Sequence, residues 1–231
     1  MFNLNFPPIS TKLSASQLAM NPLLSLTGFV KKYPSGFTLA IDRLELKAGI
    51  HLIQGENGSG KSTFLKALAG IHDSEGEISL DGISLRRDPL AFRMKIGYAE
   101  AEPVFPEFLN LDDLVQVVAK AKKSPTGQVD LLKETFGVAH FSQFPVGSYS
   151  SGMLKKTALV LAFLGNPSLV ILDEPFTTID AASQEVLADL ISQKAKSGTS
   201  FLLTSHQSNP LDHIAIDSRL VMGNGSLHPH V

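Results

Sequence analysis

Hydrophobic and polar positions alternate with a period near two through "LLSLTGFV" (residues 23–30) and "FTLAIDRLELK" (37–47), the pattern of strands with one covered face. "IHLIQ" (50–54) is a short apolar strand that runs directly into a glycine-rich loop. The period then lengthens. "STFLKALAGI" (62–71) places Phe64, Leu65, Leu68 and Ala69 on one face, which predicts an amphipathic helix starting where the loop ends. "GEISLDGISL" (76–85) reads as a hairpin turned by Asp81-Gly82, and "KIGYA" (95–99) as a further strand. From about 102 to 148 the pattern becomes short helical stretches, "LDDLVQVVAKAK" and "VDLLKETFGV", separated by "KSPTG" and "FSQFPVG", as expected of a helical lobe inserted into the domain. A helix over 152–165, a buried strand "SLVIL" (168–172), a helix over 181–196, a strand "SFLLTS" (200–205) and a hairpin around "GNG" (223–225) complete the reading. Strands alternating with helices predict an α/β fold on a largely parallel sheet.

Composition narrows this picture. With 231 residues, 43% of them hydrophobic, the chain suffices for one sizeable α/β domain carrying a small lobe. There is no cysteine, so neither disulfides nor thiolate metal sites enter the fold. A formal net charge of -2 lacks the basic excess of proteins that grip phosphate backbones, and no nucleic-acid partner is expected. The longest strongly apolar stretch, "ALVLAFLG" (158–165), falls far short of the roughly 20 residues of a membrane-spanning helix. Residues 1–22 lack the basic start and apolar centre of a secretory signal and are expected to be a disordered leader, with Met20 able to serve as an alternative start.

The chemistry concentrates in "GENGSGKS", which fits G-x-x-x-x-G-K-[ST] at Gly55, Gly60, Lys61 and Ser62 between a predicted strand and a predicted helix. Small side chains at Asn57, Gly58, Ser59 and Gly60 let consecutive backbone N–H groups converge on phosphate oxygens. The N-terminus of the following helix adds its positive end. In such a loop Lys61 reaches the β- and γ-phosphates and the Ser62 hydroxyl ligates Mg²⁺.

Four further segments make the chain resemble an ATP-binding cassette (ABC) ATPase. "SLVILDEPF" is similar to the family's Walker B strand, ending in Asp173 and Glu174. "YSSGMLKK" (149–156) resembles its L-S-G-G-Q signature at Ser150 and Gly152, with Tyr149, Ser151 and Met153 departing from it. "TTID" (177–180) sits where the D-loop belongs, with Asp180 matching, and His206 in "LLTSHQ" occupies the switch-histidine position. Tyr33 matches the aromatic that stacks on adenine. The glutamine that normally follows the strand entering the helical lobe aligns with Ala101, whose methyl group can neither ligate Mg²⁺ nor hold a water.

The resemblance implies a P-loop NTPase fold, an ABC-type nucleotide-binding domain over 23–231 with a RecA-like core, an antiparallel β subdomain and a helical subdomain inserted at about 102–150. It implies the cofactors ATP and Mg²⁺, and a head-to-tail homodimer, or heterodimer with another ABC ATPase, in which each ATP is held by one chain's Gly55–Thr63 loop and the other's Ser150, Ser151 and Gly152. Asp173 would complete the Mg²⁺ shell, Glu174 orient the attacking water and His206 touch the γ-phosphate. Integral membrane transporter subunits on other chains would be the partners, at the cytoplasmic face of the membrane, with "FPEFLNLDDLV" (105–115) close to that contact. The chain's end soon after the last hairpin leans toward a short exporter-type ATPase. Two alternatives stay open at this point: a soluble ABC-type ATPase acting on nucleic acid or ribosomes, and an ATP-dependent switch that barely hydrolyses.

Overall fold

The computed structural model describes residues 22–34, 36–205 and 211–229. The expected leader over 1–22 therefore lies, except for Pro22, outside the described residues, and so does His206.

Two sheets share the molecule. The first is antiparallel, in the order β2-β1-β4-β5, from β1 (Leu24–Lys32), β2 (Thr38–Leu46), β4 (Glu75–Leu80) and β5 (Ile83–Ser84). Leu80 pairs with Ile83 across Asp81-Gly82, both of which take positive φ (51° and 75°), the two-residue hairpin geometry that the sequence signals. The second sheet runs β10-β9-β3-β8-β7-β6, from β3 (Ile50–Gln54), β6 (Ile96–Ala99), β7 (Leu169–Leu172), β8 (Ser200–Thr204), β9 (Ser218–Gly223) and β10 (Ser226–Pro229). All its pairings are parallel except β9 with β10.

The central strands bury both faces, and period-two alternation divides them between two cores. Ile53, Leu169, Ile171 and Leu202 face helix α1 (Lys61–Leu68) and the antiparallel sheet, where Phe29 meets Phe64 edge-on at 5.6 Å between ring centroids. Leu52, Val170, Leu172, Phe201 and Leu203 point the other way. There they pack with α5 (Ser151–Ala162), α6 (Ala181–Lys196) and the helical segments α3 (Leu111–Ala121) and α4 (Gln128–Thr135). One helix was not legible in the pattern: α2 (Pro89–Met94), six residues begun by Pro89 and capped by the Asp88 side chain.

Helix ends differ from the periodic reading where glycine intervenes. α1 stops at Leu68, with Gly70 at φ 70° ending the run. α5 stops at Ala162, and the Gln128 amide closes on the next turn, donating to the Gly165 carbonyl and accepting from its N–H, both at 2.8 Å. At this same end, β6 passes α5 so closely that a Cβ on Gly97 would lie 1.9 Å from the Ala162 carbonyl oxygen.

Candidate functional site

β3 delivers the chain into the glycine loop, and α1 leaves it. Gly58 (φ 80°) and Gly60 (φ 107°) take the left-handed backbone that lets the loop curl. A Cβ on Gly55 would fall 2.3 Å from the Met222 carbonyl oxygen. The Lys61 side chain, largely buried, folds back over this curl and donates to the carbonyls of Gly55 (2.7 Å) and Glu56 (2.9 Å), so its ammonium stands above the loop. Ser62 follows, itself exposed, in the first turn of α1.

A cleft of about 730 Å³ opens over this loop. Among its lining residues are Tyr33, Asn57, Gly58, Gly60, Lys61, Ser62 and Thr63 on one side, and Ala101, Glu102, Asp173 and Glu174 on the other. Two members of the expected loop, Gly55 and Ser59, line a separate hollow behind it together with Met222 and Asn224. Phe37, unremarked in the sequence, also lines the cleft; its ring lies 6.2 Å from that of Tyr33 and would touch a Cβ on Gly60 at 3.0 Å.

The end of β7 supplies the carboxylates. Asp173 is buried and its Oδ1 accepts a 2.6 Å hydrogen bond from the Thr204 hydroxyl, which in turn accepts from the Glu174 N–H at 2.8 Å. Thr204 is fully buried at the end of β8, and no sequence motif marks it. Glu174 takes φ 45°, rare for a side-chain-bearing residue. Its backbone is held on both sides, because its carbonyl accepts from the Thr177 hydroxyl (2.8 Å) and from Lys155 (3.2 Å). Lys155 is 1% exposed, and burial pushes its ammonium down to about 8 against the opposing pull of Asp173, Glu174, Glu102 and Glu100.

The signature residues lie elsewhere. Ser150 caps α5 by accepting from the Met153 N–H, and Ser150 and Ser151 are exposed outside the cleft. A Cβ on Gly152 would sit 2.8 Å from the Thr178 carbonyl oxygen, so the helix start rides against the turn carrying Asp180. Asp180 caps α6 through Ser183 and pairs with Lys156 at 3.0 Å, and the hydrogen bond from that lysine leads in holding its carboxyl far below the ordinary range. The departure at Tyr149 has a local reason. Its ring packs edge-on against Phe141, and its hydroxyl donates to the Phe141 carbonyl (3.0 Å) and accepts from the Leu111 N–H (3.3 Å), tying the signature to α3.

A strand, glycine loop and helix with a lysine over the loop, facing two acidic residues at the end of a parallel strand, define a P-loop nucleoside triphosphatase. A profile of the ABC transporter family matches residues 42–177. The chain is 32% identical over 212 residues to the human phospholipid-transporting ATPase ABCA7, covering 88% of this chain but only about a tenth of the relative's length. It is 31% identical to the ABC-type transporter ATP-binding protein EcsA of Bacillus subtilis, covering 75% of this chain and 72% of EcsA. A solved ATP-binding subunit of an ABC transporter superposes with a TM-score of 0.76 at 26% identity, covering 89% of this chain and 88% of the other. The chain belongs to the ABC transporter family, as one of its ATP-binding cassettes. Among the described residues no helix is long and apolar enough to cross a membrane.

Proposed function

We propose that this cassette closes head-to-tail on a second cassette, of its own or a related kind, with ATP at the seam, and that closing and reopening move integral membrane subunits docked at the cytoplasmic face. The observation that carries the reading is the separation of the two halves of the nucleotide site. Lys61, Ser62, Asp173 and Glu174 share one cleft, while Ser150, Ser151, Gly152 and Asp180 lie outside it, with both signature serines exposed at a helix start. A helix N-terminus offers N–H donors and a positive dipole end, which suits a γ-phosphate brought by another molecule.

Within the cleft, the loop from Gly55 to Thr63 cradles the phosphates and Tyr33 takes the adenine face. Hard oxygen donors suit Mg²⁺, and the residues present fit it: the Ser62 hydroxyl is exposed in the first turn of α1, and the buried Asp173 carboxylate is oriented through one oxygen by Thr204. Mg²⁺ supplies charge neutralisation on the phosphates. Glu174 orients the attacking water, and His206 is assigned contact with the γ-phosphate from its place in the sequence. Exposed apolar side chains on the segment leading into α3, Val104 (89%) and Phe108 (81%), support a docking surface for membrane subunits there.

Size-exclusion chromatography of Glu174→Gln tests this reading. With MgATP the variant is expected to elute as a dimer and to hydrolyse slowly; a monomeric variant that turns over at the parental rate refutes both the shared site and the role of Glu174.

A further inference from the structure

Lys155 lies one turn into α5 and is sealed from solvent, yet neither the phosphate cradle nor the two carboxylates account for it. Its Nζ donates to four backbone carbonyls on two loops. Glu100 (2.9 Å) and Ala101 (2.5 Å) belong to the loop after β6; Glu174 (3.2 Å) and Asp173 (3.4 Å) belong to the loop after β7. An ammonium has three protons, so at least one is shared, and nearly all the hydrogen-bonding capacity of this cation goes into joining two backbones. Both loops send side chains into the nucleotide cleft.

The composition of the first loop explains why a cation is needed. Ala101 presents only a methyl group, so a grip on this loop through that residue must take its carbonyl. The Glu100 side chain is engaged elsewhere, with Lys66 at 2.9 Å. On the second loop, Glu174 sits in its positive-φ conformation with its carbonyl facing Lys155. A mere filler of this space requires no charge, since burying an ammonium is costly and an apolar side chain of similar length fills the volume without that cost. The helix bearing Lys155 begins at Ser150, and the next residue, Lys156, holds Asp180. Adjacent positions of one helix thus grip the catalytic-carboxylate loop, the Ala101 loop and the turn at Asp180.

We propose that Lys155 is a positioning residue for ATP hydrolysis: it locks the Ala101 loop and the Glu174 backbone to the signature helix as one rigid unit, so that Glu174 is aimed only when these segments are in register. This rests on the reading of Glu174 as the residue that orients water. It gives the helix that would meet a partner's nucleotide a direct mechanical link to the carboxylate of its own cleft. It also places on a lysine from α5 the job of holding a loop that presents only a methyl group at Ala101.

The test compares Lys155→Met, Lys155→Gln and Lys155→Arg in the full chain, by steady-state MgATP turnover, titration with a fluorescent ATP analogue and thermal melting. Lys155→Met is expected to lower kcat by about tenfold or more, while KM and nucleotide affinity stay within about twofold of the parent. Lys155→Gln or Lys155→Arg, which retain donors, recovers a substantial part of the loss. The proposal is overturned if Lys155→Met keeps the parental kcat, if its loss is shared equally by affinity without recovery in either donor variant, or if neither Lys155→Met nor Lys155→Gln folds. Glu174→Gln assayed alongside separates the two readings. If that variant hydrolyses like the parent, the assignment of Glu174 fails and takes this proposal with it, whereas parental turnover in Lys155→Met alone removes only the role of the lysine.

Discussion

Thr204→Val isolates a single hydroxyl at the centre of the site. The replacement keeps the β-branched shape and nearly the volume, so no cavity forms and β8 loses none of its strand preference. What disappears is the 2.6 Å donation to Asp173 Oδ1 and the acceptor for the Glu174 N–H at 2.8 Å, at a residue with no exposed surface. A hydrogen bond to a charged group contributes about 1.5–3 kcal/mol, and a buried N–H left without a partner costs about 1–3 kcal/mol. Offsetting these by the small apolar gain of a methyl group leaves an expected destabilisation of about 2–4 kcal/mol, a large share of the roughly 5–15 kcal/mol typical of a domain. For a chain of this size that corresponds to a fall in melting midpoint of roughly 4–16 °C. Turnover should fall as well, because the same hydroxyl fixes the orientation of Asp173 and the backbone turn that aims Glu174. Thr204→Ser, which retains the oxygen, should keep most of the parental turnover. Urea unfolding and MgATP hydrolysis measured on the three proteins decide the matter. A valine variant within about 0.5 kcal/mol of the parent and equally active would show that the hydroxyl bridge organises nothing.

Two further substitutions probe the close approaches around the cleft. Gly97→Ala sets a methyl carbon 1.9 Å from the Ala162 carbonyl oxygen, so β6 and the end of α5 must separate; a loss of about 1–3 kcal/mol or more is expected in thermal melting, and an unchanged midpoint would mean that this contact relaxes freely. Lys61→Ala removes the ammonium above the glycine loop, and titration with a fluorescent ATP analogue should show affinity weakened by about tenfold or more; retained tight binding would sink the assignment of that loop.

Much of the fold was legible because its signals are local. β3 spans the apolar run read as a strand, and α6 spans the stretch read as a helix, since an uninterrupted period and clear end signals leave little to tertiary context. The Asp81-Gly82 turn was legible for the same reason: two adjacent residues that tolerate positive φ specify a hairpin by themselves. The curl of the loop from Gly55 to Ser62, the helix start and the lysine over it were legible because all lie within eight consecutive residues. α2 escaped because six residues carry too little periodicity to register.

Thr204 and Lys155 could not be read, and the cause is geometric. Thr204 matters because parallel pairing sets the end of β8 beside the end of β7, and Lys155 because α5 crosses beneath two loops that are 73 residues apart at Ala101 and Glu174. Nothing in a run of residues states which strands will be neighbours, since hydrogen bonding between strands is blind to chain order. The sequence by itself determined the local devices: a curled loop, a lysine beside it, and acidic residues after an apolar strand. The order β3-β8-β7-β6 decided which of those devices face one another, which buried cation would hold two loops together, and that Ser150 and Ser151 lie exposed outside the cleft. Side-chain chemistry is written one residue at a time, whereas the convergence of strand ends exists only once the sheet has closed.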